Sequence, residues 1–270
     1  MITLCLFFFG NLRVSEINRL EQIQYRAAKL VTGALKYSSK LKLNIELGWE
    51  SLQIRYDCLG LSLFHKIHLG YTRPLVKTFM PEIQLPTYNT RSPLRYKPFA
   101  FVNKQFSMSF YPYFTKKWNT SHKTLQCERD INEYKIKLKN IYKAPKYKFY
   151  VIGSTKKGCS LMTQLRIGRS PLNDHAFSLG MAESPQCLCH APRESPGHMV
   201  LNCFLYNRER LTLLSKVESI LPKFKTFTEK RKLDVLLFGI FPDNPDYYQI
   251  NKSLQISVQQ FLVSTKRFDY

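Results

Sequence analysis

A mainly α-helical fold, with an extended Pro- and aromatic-rich connector in its middle and a small Cys/His hairpin near its end, is what this 270-residue sequence predicts. Three observations carry that expectation. Apolar residues recur at helical spacing in five separate segments. Residues 71–127 hold six prolines and many aromatics without that period. Cys187, Cys189, His198 and Cys203 stand in one short block punctuated by Pro185, Pro192, Pro196 and Gly197. Strand content is expected to be minor, and no internal repeat or low-complexity tract is evident.

The first helix is expected over Ser15–Thr32, with Leu20, Ile23, Ala27, Leu30 and Val31 as its apolar stripe and Gly33 as its stop. Glu50–Leu69 predicts a second, with Leu52, Tyr56, Leu59, Leu63 and Ile67 on one face, Gly60 weakening it and Gly70 ending it. His65 and His68 lie near its C-terminal end, where the helix dipole favours imidazolium; no thiol or carboxylate nearby completes a metal site. Arg129–Tyr142 predicts a third helix, with Ile131, Tyr134, Leu138 and Ile141 inward and Pro145 beyond its end. Asp130 and Glu133 at its start and Lys139 and Lys143 at its end match the macrodipole. Leu205–Leu221 and Asn251–Lys266 read as helices too, the last through Leu254, Val258, Phe261 and Leu262.

Charge bounds the function classes. Lys and Arg outnumber Asp and Glu by 41 to 19, a formal charge of +22, while 44% hydrophobic content argues against global disorder. Such a chain seeks a polyanion, and nucleic acid, RNA or DNA, is the first candidate. Seven unevenly spaced cysteines are unlike a secreted disulfide framework, so a reducing compartment, nucleus or cytoplasm, is expected. The apolar run Ile2–Phe9 is too short to span a bilayer and no small-residue cleavage site follows it, so no membrane partner is expected. It reads as a piece of buried structure taken from a larger context.

Candidate nucleic-acid contacts follow from where the cations gather. Arg19, Arg26 and Lys29 share one face of the first helix, a pattern that a solvated surface would also show. Between Lys135 and Arg169 there are ten basic residues and no acid: Lys135, Lys137, Lys139, Lys143, Lys146, Lys148, Lys156, Lys157, Arg166 and Arg169. All but Lys137 join the candidate contact set. In the connector, cations alternate with rings such as Tyr96, Phe99, Phe106, Phe110, Phe114 and Trp118. Phosphate neutralisation beside base stacking is the physics of single-strand binding, and core packing is the competing reading for each ring.

The Cys/His block reads C-x-C-x8-H-x4-C. Three thiolates and one imidazole are the donors of a closed structural Zn²⁺ site, which leaves no open catalytic position. A loop without a core of its own would draw folding energy from the metal. Free thiols with His198 on a surface turn are the competing reading, and His190 is a less favourable substitute ligand because it adjoins Cys189.

Catalytic patterns are missing from the sequence. None of the seven aspartates is adjacent to another, whereas two-metal nucleotidyl transfer needs converged carboxylates. There is no G-x-S-x-G, no G-x-x-x-x-G-K and no H-E-x-x-H, so no enzyme is expected. The alternatives are a cryptic metal-dependent nuclease using Glu229, Asp234 and Asp243, or a non-functional fragment lacking its partner domain.

Five segments carry a family resemblance. Leu20–Gly33, Glu46–Leu52, Thr163–His175, Cys187–Cys203 and the ending Asn251–Phe268 together resemble the C-terminal region of non-LTR (LINE-like) retrotransposon reverse transcriptases, downstream of the polymerase domain. The resemblance implies a zinc-binding CCHC motif, a role in holding template RNA or target DNA, and an upstream polymerase domain that would carry the catalytic aspartates. Three regions are expected: 1–70, a helical segment that the resemblance places after a missing polymerase domain; 71–127, the extended basic and aromatic connector read from composition; and 128–270, a helical region with the zinc motif at 187–203. His190 departs from the pattern, standing where relatives often have glycine.

Overall fold

Helix formation here begins with capping and ends with glycine. The computed structural model describes residues 14–84, 95–100, 103–142, 149–150, 155–242 and 244–269. The chain is mainly α-helical. Helices α1 (Val14–Thr32), α2 (Lys40–Leu47) and α3 (Leu52–His68) follow in order. Ser39 and Ser51 accept from Lys42 N and Ile54 N to cap the second and third, and Gly33, Gly48 and Gly70 take up the positive φ that follows each helix. Four short or medium helices come next: α4 (Pro74–Lys77), α5 (Lys104–Ser107), α6 (Phe110–Asn119) and α7 (Lys123–Gln126). Then come α8 (Ile131–Ile141), α9 (Lys156–Ile167), α10 (Asn173–Ser178), α11 (Asn207–Ile220), α12 (Glu229–Phe238) and α13 (Tyr248–Ser264). Among the described residues the strand content is one two-residue antiparallel pair, β1 (Ile83–Gln84) with β2 (Arg95–Tyr96). No helix among them is long and apolar enough to cross a membrane.

Two compact units result, one from Met1–Ile23 with Glu50–Ala144, the other from Gln24–Trp49 with Pro145–Tyr270. The chain therefore divides at other points than residues 70 and 127. Within the first unit, the described residues of 71–127 are less a connector than part of a core. Tyr96, Phe114 and Trp118 from this stretch pack with Cys58, Leu61 and Phe64 of α3 and with Tyr134 and Leu138 of α8. The stacking rings expected to meet bases are thus largely internal, although Phe106 remains 43% exposed. Tyr88 and Phe101, two further rings interleaved with the cations of this stretch, lie outside the described residues.

Core demand also rotates the helix faces. In α3, Leu59 is 43% exposed while Gly60 is buried, because the Phe114 ring lies where a Gly60 Cβ would be, 1.8 Å from the ring Cζ. His65 is fully buried, stacked on Tyr134 at 3.9 Å between ring centroids and 7° between planes. Burial pushes its pKa down to about 4, although its bond to the Glu128 carbonyl pulls the other way. The expected imidazolium is therefore a neutral ring: desolvation outweighs the helix dipole. Along α1 the expected stripe is largely exposed, Ile23 at 52% and Leu30 at 76%, and Ala28 and Thr32 are buried instead.

The second unit holds the larger core. α13 is its axis, with Leu254, Val258, Phe261 and Leu262 all buried as expected, packed with residues of α9, α11 and α12. A smaller cluster joins Ala28 of α1, Leu43 and Leu47 of α2, and Ile167 of α9. Two buried ion pairs clamp this unit. Glu46 accepts from Arg166 at 2.5 Å and from Thr163 at 3.2 Å, and Glu194 faces Arg267 at 2.7 Å while also accepting from Asn173 N.

Candidate metal centre

Each limb of the Cys/His block is held by local backbone chemistry. Cys187 and Cys189 lie on a tight loop in which His190 N donates to Cys187 O at 2.8 Å and Cys187 N donates to Ala191 O at 3.0 Å. Glu194 N donates to Pro185 O at 2.7 Å, tying the base of the loop. His190 pays for that turn with a left-handed φ of 66°. The other limb is a π-helical turn, His198–Asn202, closed by Cys203 N donating to His198 O at 2.7 Å. This turn explains the H-x4-C spacing. A five-residue step points away in an α-helix, but the wider i→i+5 turn brings its ends back to one side.

The four donor atoms converge. They lie within 4.8 Å of one another, with Cys187 Sγ 3.7 Å from Cys203 Sγ and Cys189 Sγ 3.1 Å from His198 Nε2. Zn–S bonds of about 2.3 Å imply tetrahedral sulfur separations of about 3.8 Å, so the sulfur pair stands at the right distance. The donors fit a divalent ion of borderline softness and are compatible with zinc. Burial pushes the Cys187 thiol up to about 12 and raises Cys203 as well. Burial also acts to raise Cys189, but bonds from the Ala191 N–H and from the neighbouring cysteines hold it lower. Burial keeps His198 below the ordinary imidazole value, and so neutral as a ligand must be. His190 is exposed and lies outside the convergent set.

Beneath the site stands Arg210 of α11, 6% exposed. Its guanidinium donates to Val200 O at 3.0 Å, to Met199 O at 3.4 Å and to Cys203 O, all carbonyls of the limb that carries His198 and Cys203. Sequence reading missed this residue, since one arginine on a basic amphipathic helix gives no signal of facing inward.

The candidate nucleic-acid contacts are divided between the units. Arg19, Lys135 and Lys139 are exposed in the first, with Lys139 3.7 Å from Glu50. In the second, Arg26, Lys156 and Lys157 are exposed, Lys157 pairs with Asp269, and Lys29 lies over the Tyr25 ring at 4.9 Å. Arg169 is half-buried. Arg166 leaves the set: its side chain is 2% exposed and held by Glu46 and the Phe149 carbonyl, where no phosphate reaches it. Lys143, Lys146 and Lys148 lie outside the described residues, as does Asp243 of the alternative nuclease set, whereas Glu229 and Asp234 are exposed on α12. Among the described residues the Cys/His group is the one cluster of metal-capable side chains.

In comparisons with known proteins, no family model matches the chain. Neither a curated protein nor a solved structure matches it.

Proposed function

We propose that this chain is a nucleic-acid-binding module whose second unit is stapled by one structural zinc ion on Cys187, Cys189, His198 and Cys203. In this reading it is a catalytically incomplete C-terminal portion of a LINE-like reverse transcriptase. The observation that carries it is the convergence of three thiols and one imidazole, from two separately built limbs, within 4.8 Å. Bound zinc would supply folding energy and hold the loop on the core; the closed donor set gives it no substrate position. Cys187 and Cys203 anchor the ion to the buried core, and Cys189 and His198 close the outer side.

The polyanion reading is supported by the +22 formal charge and by exposed Arg19, Arg26, Lys135, Lys139 and Lys156. Two measurements test the proposal. Metal analysis of the purified chain is expected to give one zinc per chain, with helical circular dichroism lost on chelation and Cys203→Ser taking up no metal. Binding to single-stranded RNA and DNA is expected to weaken steeply with salt, and each exposed cation replaced by alanine should lower the log–log slope by about 1. A well-folded chain without metal would overturn the zinc assignment. Salt-independent binding, or none, would overturn the nucleic-acid assignment.

A further inference from the structure

Among the described residues, three arginine side chains are buried, and they are not treated alike. Arg166 meets Glu46 and Arg267 meets Glu194, each at ion-pair distance. Arg210 forms no ion pair at that distance; its hydrogen-bond partners are the carbonyls of Met199, Val200 and Cys203. Guanidinium stays protonated in proteins, so α11 places one fixed positive charge against this limb with carbonyl dipoles bonded to it and the Glu209 carboxylate acting on it without an ion pair. A buried charge without a bonded counter-charge is unfavourable, and the molecule bonds carboxylates to the other two.

A divalent ion held by three thiolates and a neutral imidazole carries one net negative charge. That is the missing partner. We propose that Arg210 is the charge-balancing positioning residue of the Cys/His site, selecting a monoanionic metal–thiolate centre while its fork fixes the limb bearing His198 and Cys203. This rests on the zinc reading above and adds to it why three cysteines are used. Two cysteines with two histidines would leave Arg210 unanswered, and four cysteines would exceed it. Metal binding and the burial of α11 then stabilise one another.

The experiment is a zinc affinity measurement on the full chain by chelator competition at fixed pH. It compares Arg210→Met with the parent, each also in a Cys189→His background that makes the loaded centre neutral. Arg210→Met is expected to weaken zinc binding about 10- to 100-fold, the range seen when outer partners of metal ligands are removed. The cobalt(II)-loaded form should keep its tetrahedral three-thiolate absorption, showing the ligands intact. In the Cys189→His background the same substitution is expected to weaken binding by less than about 3-fold, a non-additivity that a merely structural arginine would not produce. Equal losses in both backgrounds, or no loss in either, overturn the proposal. Should Arg210→Met not fold, Arg210→Lys carries the test: keeping the charge, it should stay within about 5-fold of the parent, and a larger loss overturns charge balancing. A parent chain that takes up no zinc fails at the earlier reading, before any Arg210 variant is compared.

Discussion

His190 holds a left-handed φ of 66° with a β-carbon in place, on the turn that presents Cys187 and Cys189. Left-handed backbone costs an L-residue about 1–2 kcal/mol relative to glycine. His190→Gly is therefore expected to stabilise the metal-loaded loop by about 1 kcal/mol, read as a higher melting midpoint; an unchanged midpoint would mean that the turn carries no such strain. His65 gives the opposite kind of lesson. The fold holds it neutral with a pKa near 4, while an unfolded chain protonates it near 6.5. Between those values the unfolded state binds the extra proton, so the stabilising contribution is complete above pH 6.5 and is lost as pH falls toward 4. At about 1.4 kcal/mol per unit, the loss approaches about 3 kcal/mol. In denaturant melts the parent should lose stability relative to His65→Phe, which keeps a ring at this position without the proton site, as pH drops through this window. A parallel pair of curves would contradict the assignment. Neither effect was visible in the sequence, where His190 was a departure from a pattern and His65 one of two histidines at a helix end.

At the scale of elements, helices were legible wherever caps and period agreed, and their faces were not. α13 shows the agreement: one apolar stripe, four buried side chains, a core on one side. α3 shows the failure, because its buried face is decided by Phe114 and Trp118 from a stretch with no helical signature before α6. α2, α9 and α12 gave no expectation, since short or basic helices of weak period owe their stability to the partners that cover them. Gly60, read as a weakness in α3, is the opening through which the Phe114 ring reaches the helix. Gly60→Ala is expected to destabilise the first unit by about 1–3 kcal/mol, the range for overpacking, despite alanine's better helix propensity. Chemical denaturation checks it, and a stabilised variant would show that Phe114 can move aside. The Cys/His limb was half legible: the four convergent donors could be listed from spacing, but the π turn that brings the ends of H-x4-C together, and Arg210 behind it, could not.

At the scale of the molecule, the second unit is discontinuous in sequence. The chain leaves it after Trp49 and re-enters it beside the point of departure, Tyr150 N donating to Glu46 O at 2.8 Å. Closing so short a gap needs little linker, and loop entropy grows only slowly with length. Replacing residues 50–144 with a short Gly/Ser linker is therefore expected to leave the second unit cooperatively folded and able to take up zinc, measured by melting and metal content. Loss of both would mean that the first unit supports the second. The same interruption sets an order of events during synthesis. Glu46 is made 120 residues before the Arg166 that neutralises it, and Glu194 waits 73 residues for Arg267. Residues 50–144 emerge as one continuous stretch and can condense at once, while α2 waits with its apolar side chains uncovered. A nascent chain thus spends the synthesis of residues 145–270 as a folded insert on an unfolded host. That interval is when it is exposed to chaperones and to aggregation.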